Sequence, residues 1–207
     1  IILPFKDLGE VENSYFYTLS KTHNFGLNDK KNFKIEPKVV SLSMSRLRRL
    51  IEKASDYYVT PKSDGLRMTG YIHTSGELFL IGSKSTHFEP TGYMFENSMG
   101  GTIFDGEFVR QDKSGIEIAH YLVFDCYYDK NEDIRQKSLI FRRNVAKEII
   151  DSSLSSTGVG GFKIILQNFI PTTKETFFEM CNKCFEDIEN DIYENDTMID
   201  LTNNENF

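Results

Sequence analysis

Lys62-Ser63-Asp64-Gly65-Leu66-Arg67 sets an amine, a carboxylate and a guanidinium within six residues, around a glycine. A lysine amine can attack the α-phosphorus of a nucleoside triphosphate, provided it has lost its proton when it does so. A neighbouring cation, or removal from water, brings such an amine towards neutrality. Gly65 lets the backbone turn tightly and approach a ligand. Arg67 can reach ribose or phosphate oxygens through its forked donors. Without that chemistry, the same residues are a strand, a turn at Asp64-Gly65 and a second strand. Two later segments bear on the choice. Thr102-Ile103-Phe104-Asp105-Gly106-Glu107-Phe108-Val109 places Glu107 directly after a glycine within a strand. Tyr121-Leu122-Val123-Phe124-Asp125 is an apolar strand ending in an aromatic ring and an acid. Each alone reads equally as a core strand with a polar end. Their order and spacing after Lys62 carry more than either does singly.

The elements around these segments follow from periodicity. Before Lys62, a helix is expected with Ser45 as its cap and Leu47, Leu50, Ile51 and Ala54 on one face. Arg46, Arg48, Arg49 and Lys53 fall off that face, as a solvated surface or one turned to RNA. Strands are expected at 57–60, 66–73 and 77–81, with Thr74-Ser75-Gly76 as a hairpin turn. Two more run over 102–109 and 116–128, joined by a turn at 111–115. A second helix spans 138–150, with Leu139, Arg142, Val145 and Ile149 on its repeating face. A flexible connection at 152–161 leads to an apolar strand at 162–169. Thr172 and Glu175 form a capping-box pattern that opens a third helix, whose apolar face carries Phe177, Phe178, Cys181, Cys184, Phe185 and Ile188. The acidic, Asn-rich tail from Glu189 reads as exposed or partly disordered. Residues 1–40 show only strand-like stretches at 25–27 and 32–35 and read as a lead-in segment, leaving 41–207 as the main domain.

Composition narrows the classes. The 207 residues are 39% hydrophobic and 13% aromatic, enough for one large domain with a real core. No apolar run is long enough to span a bilayer, so no membrane role is expected. The start, Ile1-Ile2-Leu3-Pro4-Phe5, has neither an initiator Met nor the layout of a signal peptide, so a piece of a longer protein is expected. Cys126, Cys181 and Cys184 are an odd set without framework spacing, which favours a reducing compartment. The lone C-x-x-C at 181–184 reads as core rather than a zinc site. His23, His73, His87 and His120 form no cluster in sequence. A net charge of -7 counts against a simple RNA-binding module, though not against an enzyme that handles one RNA end.

Taken together, the segments at 62–67, 102–109 and 121–125 resemble motifs I, III and IIIa of the superfamily of mRNA capping enzymes and ATP-dependent polynucleotide ligases. The likeness covers residues 40–150 and continues through Arg135 to Arg143. It implies an α/β nucleotidyltransferase fold of antiparallel sheets and flanking helices, with the nucleotide in a cleft. It implies that Lys62 forms a covalent nucleoside-monophosphate adduct, releasing pyrophosphate. By the same resemblance Arg67 contacts the ribose, Glu107 serves a ribose hydroxyl or a metal, Phe124 stacks on the base, and Asp64 and Asp125 complete the nucleotide site. Lys84 supplies the basic residue of motif Ia, where the family more usually has Arg. Thr60 stands where ligases usually place Glu, and Asp-Gly-Leu-Arg with Tyr-Leu-Val-Phe-Asp resembles capping enzymes, especially those of large DNA viruses. Tyr127 to Arg135, in contrast, resembles the ligase stretch.

The expected function is therefore an mRNA guanylyltransferase that passes GMP from GTP through Lys62 to the 5′-diphosphate end of RNA, assisted by Mg²⁺ or Mn²⁺. An ATP-dependent ligase carrying AMP on the same lysine is the alternative. A non-catalytic scaffold is a third reading, against which the intact Lys62, Asp64, Arg67 and Glu107 count. Motifs IV and V would follow the third helix and do not appear before Phe207, nor does the OB-fold domain. The resemblance further implies linked or associated triphosphatase and methyltransferase domains. The expected location is cytoplasmic, a virion or viral factory if viral, with the nucleus as alternative.

Overall fold

The computed structural model describes residues 5–23, 35, 42–82 and 87–195. Its helices are α1 (Phe5–Ser20), α2 (Met44–Glu52), α3 (Leu139–Asp151) and α4 (Phe177–Asn190). Its strands are β1 (Tyr58–Val59), β2 (Leu66–Ile72), β3 (Glu77–Ile81), β4 (Phe88–Met94), β5 (Thr102–Gln111), β6 (Glu117–Asp129), β7 (Glu132–Asp133), β8 (Lys163–Leu166) and β9 (Ile170–Pro171). They fall into two compact units. The first holds the described residues of Ile1–Val40 with Gly65–Arg110 and Glu117–Gln167. The second holds those of Ser41–Asp64, Gln111–Ile116 and Asn168–Phe207.

The first unit is a sheet ordered β4-β3-β2-β5-β6-β7, with β8 also on β6. The mixed α/β class and the antiparallel pairing of β2 with β3 and β5 are as the sequence suggests. β8 departs from that pattern and runs parallel to β6. β4 has no counterpart in the sequence reading, because Pro90 and Gly92 break its alternation.

Both faces of this sheet are covered. Ala146 and Ile149 of α3 pack with Tyr93, Phe104, Tyr121, Val123, Phe162 and Ile164 on one face. On the other, Val11, Tyr15, Phe16 and Leu19 of α1 pack with Tyr71, Phe79, Ile81, Phe88 and Ile103. Within the segment expected to be a lead-in, α1 packs over a core. Its apolar stripe has helical spacing, but Gly9, Asn13, Ser14 and Thr18 dilute the signal. Ile35 joins this core, while the stretches at 25–27 and 32–34 lie outside the described residues. Close approach is built in at Gly106, where an added Cβ would lie 2.6 Å from both the Tyr121 ring and the Leu122 carbonyl. Tyr121 uses that space to donate to the Met68 carbonyl at 2.9 Å.

Helix ends correct several expectations. α2 is flanked by Ser43 rather than Ser45, with no side-chain cap bond. Its face is as expected, with Leu47, Leu50 and Ile51 half-buried and Ala54 buried. Ser138 caps α3 by accepting from the Phe141 amide at 3.3 Å; Ile149 is buried and Val145 half-buried against the core as expected, and Arg143 and Ala146 are buried with them. The 152–161 connection is pinned rather than loose. The Leu154 amide donates to the Met94 carbonyl at 2.9 Å, Ser155 Oγ accepts from the Met94 amide at 3.1 Å, and the Gly158 amide donates to the Phe162 carbonyl at 2.7 Å.

In the second unit, β1 pairs antiparallel with β9, and α4 packs on both. α4 begins at Phe177, because Thr172 turns its hydroxyl to the Ala54 carbonyl at 2.7 Å instead of opening the helix. Thr173 and Thr176 exchange side-chain-to-amide bonds of 3.1 and 3.2 Å there. Phe177 and Cys184 are buried, whereas Phe178 and Phe185 face out at 63% and 45% exposure. Burial pushes the Cys181 and Cys184 thiols up. Lys113 Nζ donates to the Ile188 and Glu189 carbonyls, both at 3.0 Å, satisfying the C-terminal carbonyls of α4 with a cation. Residues 191–195, expected to be loose, are hydrogen-bonded to the rest of this unit, and 196–207 lie outside the described residues.

Burial holds His23, His73 and His120 of the first unit below the ordinary 6.5. Arg135 adds to this at His23 and Lys163 at His120, while Glu10 opposes it at His73. A lowered folded pKa means that the unfolded chain binds protons first, so the stability is complete above 6.5 and is lost as pH falls below it. Urea midpoints should fall on acidification through that window, and replacing all three by Gln should flatten the dependence. An unchanged slope would show that other groups set it.

Candidate nucleotide-binding site

β2 and β5 align Arg67 opposite Glu107 and Thr69 opposite Asp105. Because side chains alternate along a strand, Arg67, Asp105 and Glu107 share the face that α1 covers farther along. Asp105 is 1% exposed. Its carboxylate accepts from Arg67 Nε at 3.0 Å and Arg67 Nη2 at 2.6 Å, a two-point ion pair of fixed geometry. The Tyr127 hydroxyl donates to the same carboxylate, and burial, with Asp105 beside it, pushes that phenol far up. Glu107 is half-buried. Gly65, expected to let the backbone approach a ligand, instead admits β5: a Cβ there would stand 2.7 Å from the Phe108 carbonyl and 3.0 Å from Glu107 Cγ.

Phe124 is half-buried on β6. The Arg67 guanidinium carbon lies 5.7 Å from its ring centroid, within range of a cation–π contact. Beside it, Asp125 is engaged by α3: Arg142 donates to both its oxygens at 2.7 Å, and the hydrogen bond to Asp125 holds the Arg142 pKa up. Arg142 also donates to the Lys137 carbonyl at 2.6 Å. Arg143 donates to the carbonyls of Phe124 and Gln167 at 3.1 and 2.5 Å. Asp125 thus anchors the strand to α3 next to Phe124.

Lys62 belongs to the second unit and is exposed. Its neighbours are held: Thr60 Oγ1 donates to the Asn168 carbonyl at 2.8 Å, Ser63 pairs with Asn195, and the Asp64 amide donates to the Glu194 carbonyl at 2.7 Å. Asp64 is also exposed. Lys84 lies outside the described residues. The structure therefore brings Arg67, Glu107 and Phe124 to one unit, with Lys62 five residues up the chain from Arg67.

Four residues that shape this site were not singled out from sequence: Asp105, Tyr127, Arg142 and Arg143. Asp105 was accessible, since it lies two residues before Glu107 and so faces the same way. Tyr127 was not. Tyr121, Val123 and Cys126 all join the α3-side core, whereas Tyr127 and Tyr128 join the α1-side core, so the alternation of β6 breaks between 123 and 126. At that break the Cys126 amide donates to the Asp125 carboxylate at 2.8 Å.

The family described as mRNA capping enzyme, catalytic domain, matches residues 20–206. The chain belongs to this family, a class of nucleotidyltransferase domains. Over 92 residues it is 33% identical to the mRNA-capping enzyme subunit alpha of Candida glabrata, a match covering 35% of this chain and 20% of that protein. The chain thus spans about a fifth of that relative's length. Among solved structures it is similar to a mycobacterial DNA ligase D complexed with ATP and MES and to the ligase domain of M. tuberculosis LigD. Each shows a TM-score of 0.40 and 13% identity, covering 62% of this chain and 45% of the other, a likeness too distant to bear on the site.

The shared carboxylate makes a testable coupling. Tyr127→Phe should destabilise by about 1.5–3 kcal/mol, the scale of one hydrogen bond to a charged group, and Arg67→Ala by about 3–5 kcal/mol, because it leaves the buried Asp105 carboxylate without its cation. Because both bonds converge on Asp105, the double variant should depart from additivity by roughly 0.5 kcal/mol or more. Denaturant unfolding of the four proteins measures this, and simple additivity would show that the two do not share the carboxylate.

Proposed function

We propose that this chain is the nucleotide-binding part of an mRNA guanylyltransferase. The observation that carries it is a pairing: the Lys62 motif runs directly into β2, where Arg67 faces Glu107 beside Phe124, in a chain of the capping-enzyme catalytic family. On this reading the Lys62 amine attacks the α-phosphorus of GTP. A nitrogen–phosphorus bond forms, the bond from that phosphorus to the bridging oxygen breaks, and pyrophosphate departs. A terminal phosphate oxygen of the RNA 5′ diphosphate then attacks the same phosphorus, and the lysine leaves and regains its proton. Such transfer is mostly positioning and charge stabilisation. Asp105 and Tyr127 hold Arg67 in place to meet the ribose, and Arg142 and Arg143 hold the backbone under Phe124 for the base.

Among the described residues no three His, Cys, Asp or Glu side chains form a metal cage. In this reading Mg²⁺ or Mn²⁺ would be bound by one carboxylate together with substrate phosphates. Glu107 is the residue that would hold it, and the ion would supply charge neutralisation on the triphosphate. Thr60, where a ligase would have Glu, favours GTP over ATP. The RNA acceptor and associated triphosphatase and methyltransferase domains belong to the same reading.

The full-length protein with labelled GTP and a divalent ion should form an acid-labile, base-stable adduct. Lys62→Ala should abolish it, and so should Lys62→Arg, since a guanidinium stays protonated. With ATP and GTP at equal concentration, GTP should label by a wide margin. A labelled adduct in Lys62→Ala removes the assignment, and preferential labelling by ATP moves it to a ligase.

Phe124→Ala should weaken GTP binding about tenfold or more, if stacking contributes on the order of 1–3 kcal/mol as it does for single-stranded bases. Glu107→Ala should depress adduct formation more than binding, because its carboxylate acts during transfer. Stability and adduct kinetics measured on the same proteins decide this. Lost stability with unaltered kinetics would remove both residues from the site.

A further inference from the structure

The helix that leads into Lys62 carries the opposite charge to the chain. Over the whole sequence 31 acids outnumber 24 cations, a net charge of -7. Between residues 46 and 53, Arg46, Arg48, Arg49 and Lys53 stand against one acid, Glu52, so four cations less one anion leave a local excess of three. All four cations are exposed, while Leu47, Leu50 and Ile51 are half-buried and Ala54 is buried. At helical spacing Arg46, Arg49 and Lys53 fall within an arc of about 60°. α4, in the same unit, is the reverse: Glu179, Glu186, Asp187 and Glu189 against Lys183, all exposed. The surface charge of this unit is segregated between two helices rather than mixed.

We infer that the basic face of α2 docks the sugar-phosphate backbone of the acceptor RNA, downstream of the 5′ end that receives the nucleotide. The inference rests on the guanylyl-transfer reading and adds to it how the acceptor is held. Three of the four cations are Arg, whose forked donors match phosphate oxygens in pairs. Leu47, Leu50 and Ile51 of α2 are half-buried, and Met44 at its first position is the one apolar side chain of the helix that is exposed, so the helix has no broad apolar face to lay into a membrane. The basic arc itself carries no aromatic anchor of the kind that holds a protein partner. Chain length adds proximity. Lys53 and Lys62 are nine residues apart, and an extended chain spans at most about 3.6 Å per residue, so the last cation lies within roughly 32 Å of the nucleophile. A few nucleotides cover that distance. On a chain that is acidic elsewhere, one basic helix also orients the RNA, because the remaining surface repels it.

The test separates nucleotide chemistry from RNA docking. The full-length protein carrying Arg46→Gln, Arg49→Gln and Lys53→Gln is compared with its parent in GTP adduct formation, which also reports folding. Both are then compared in transfer to two 5′-diphosphate acceptors, a dinucleotide and an RNA of about 20 nucleotides, longer than a typical single-domain footprint. Adduct formation and the dinucleotide KM should be unchanged. For the long RNA the KM should rise about tenfold, and the log–log salt slope should become shallower by about 2, at roughly 0.7 for each single-strand phosphate that is no longer neutralised. A second variant, Lys174→Gln with Lys183→Gln, should change none of these. An intact adduct with an unchanged long-RNA KM and salt slope overturns docking alone. An equal rise in KM for both acceptors places the cations at the 5′ end and also overturns it. Lost binding to a phosphoserine peptide or to anionic vesicles, with the long-RNA KM kept, assigns the face to that partner instead. A parent that forms no adduct with GTP fails the guanylyl-transfer reading itself.

Discussion

The carboxylate of Asp105 sits among β2, β5 and β6 with almost none of its surface in water. A buried carboxylate is costly unless its oxygens are met by a cation and by hydrogen-bond donors. Here Arg67 meets both oxygens and Tyr127 adds a hydroxyl. That requirement ties three strands together. A one-residue slip of β2 against β5 would turn Arg67 to the opposite face and strand the acid. The register that satisfies Asp105 is also the one that sets Arg67 across from Glu107, so a demand of folding and the layout of the candidate site coincide.

α3 does for β6 what Asp105 does for β2. Arg142 grips the Asp125 carboxylate, and Arg143, itself buried, reaches the carbonyls of Phe124 and Gln167. These carbonyls lie just past the parallel pairing of β6 with β8, which runs to Val123 and Leu166. The strand alternation breaks at the same place, so backbone groups that a regular ladder would have paired are met by arginine donors instead. The aromatic ring expected to meet a base therefore rests on a section of strand held by a helix.

Lys62 is supported differently. Its neighbours Ser63 and Asp64 are bonded to Asn195 and Glu194, beyond α4, and the end of α4 is in turn capped by Lys113 from the turn between β5 and β6. Motif I thus crosses from one compact unit to the other between Asp64 and Gly65. The lysine and the arginine of a single six-residue motif are positioned by separate sets of contacts.

The sequence by itself determined the class and named the candidate site residues. Lys62, Arg67, Glu107 and Phe124 are legible because the motif is local, and the strands that carry them announce themselves through alternation. α2 and α3 were legible too, since each has a compact apolar stripe. What the sequence did not show depends on contacts between distant residues. α1 is diluted by polar residues and becomes a helix with a purpose only when Tyr71 and Phe79 lie beneath it. Nothing in the sequence marks Arg143 for burial, which follows only from the carbonyls of Phe124 and Gln167 converging on it. Phe178 and Phe185 read as core by hydropathy, yet face outward, because α4 rests its other side on β1 and β9. Asp105 shows the division most plainly. Its strand and its face follow from counting residues, but the role of its charge was decided only when tertiary structure took it out of water and set Arg67 and Tyr127 against it.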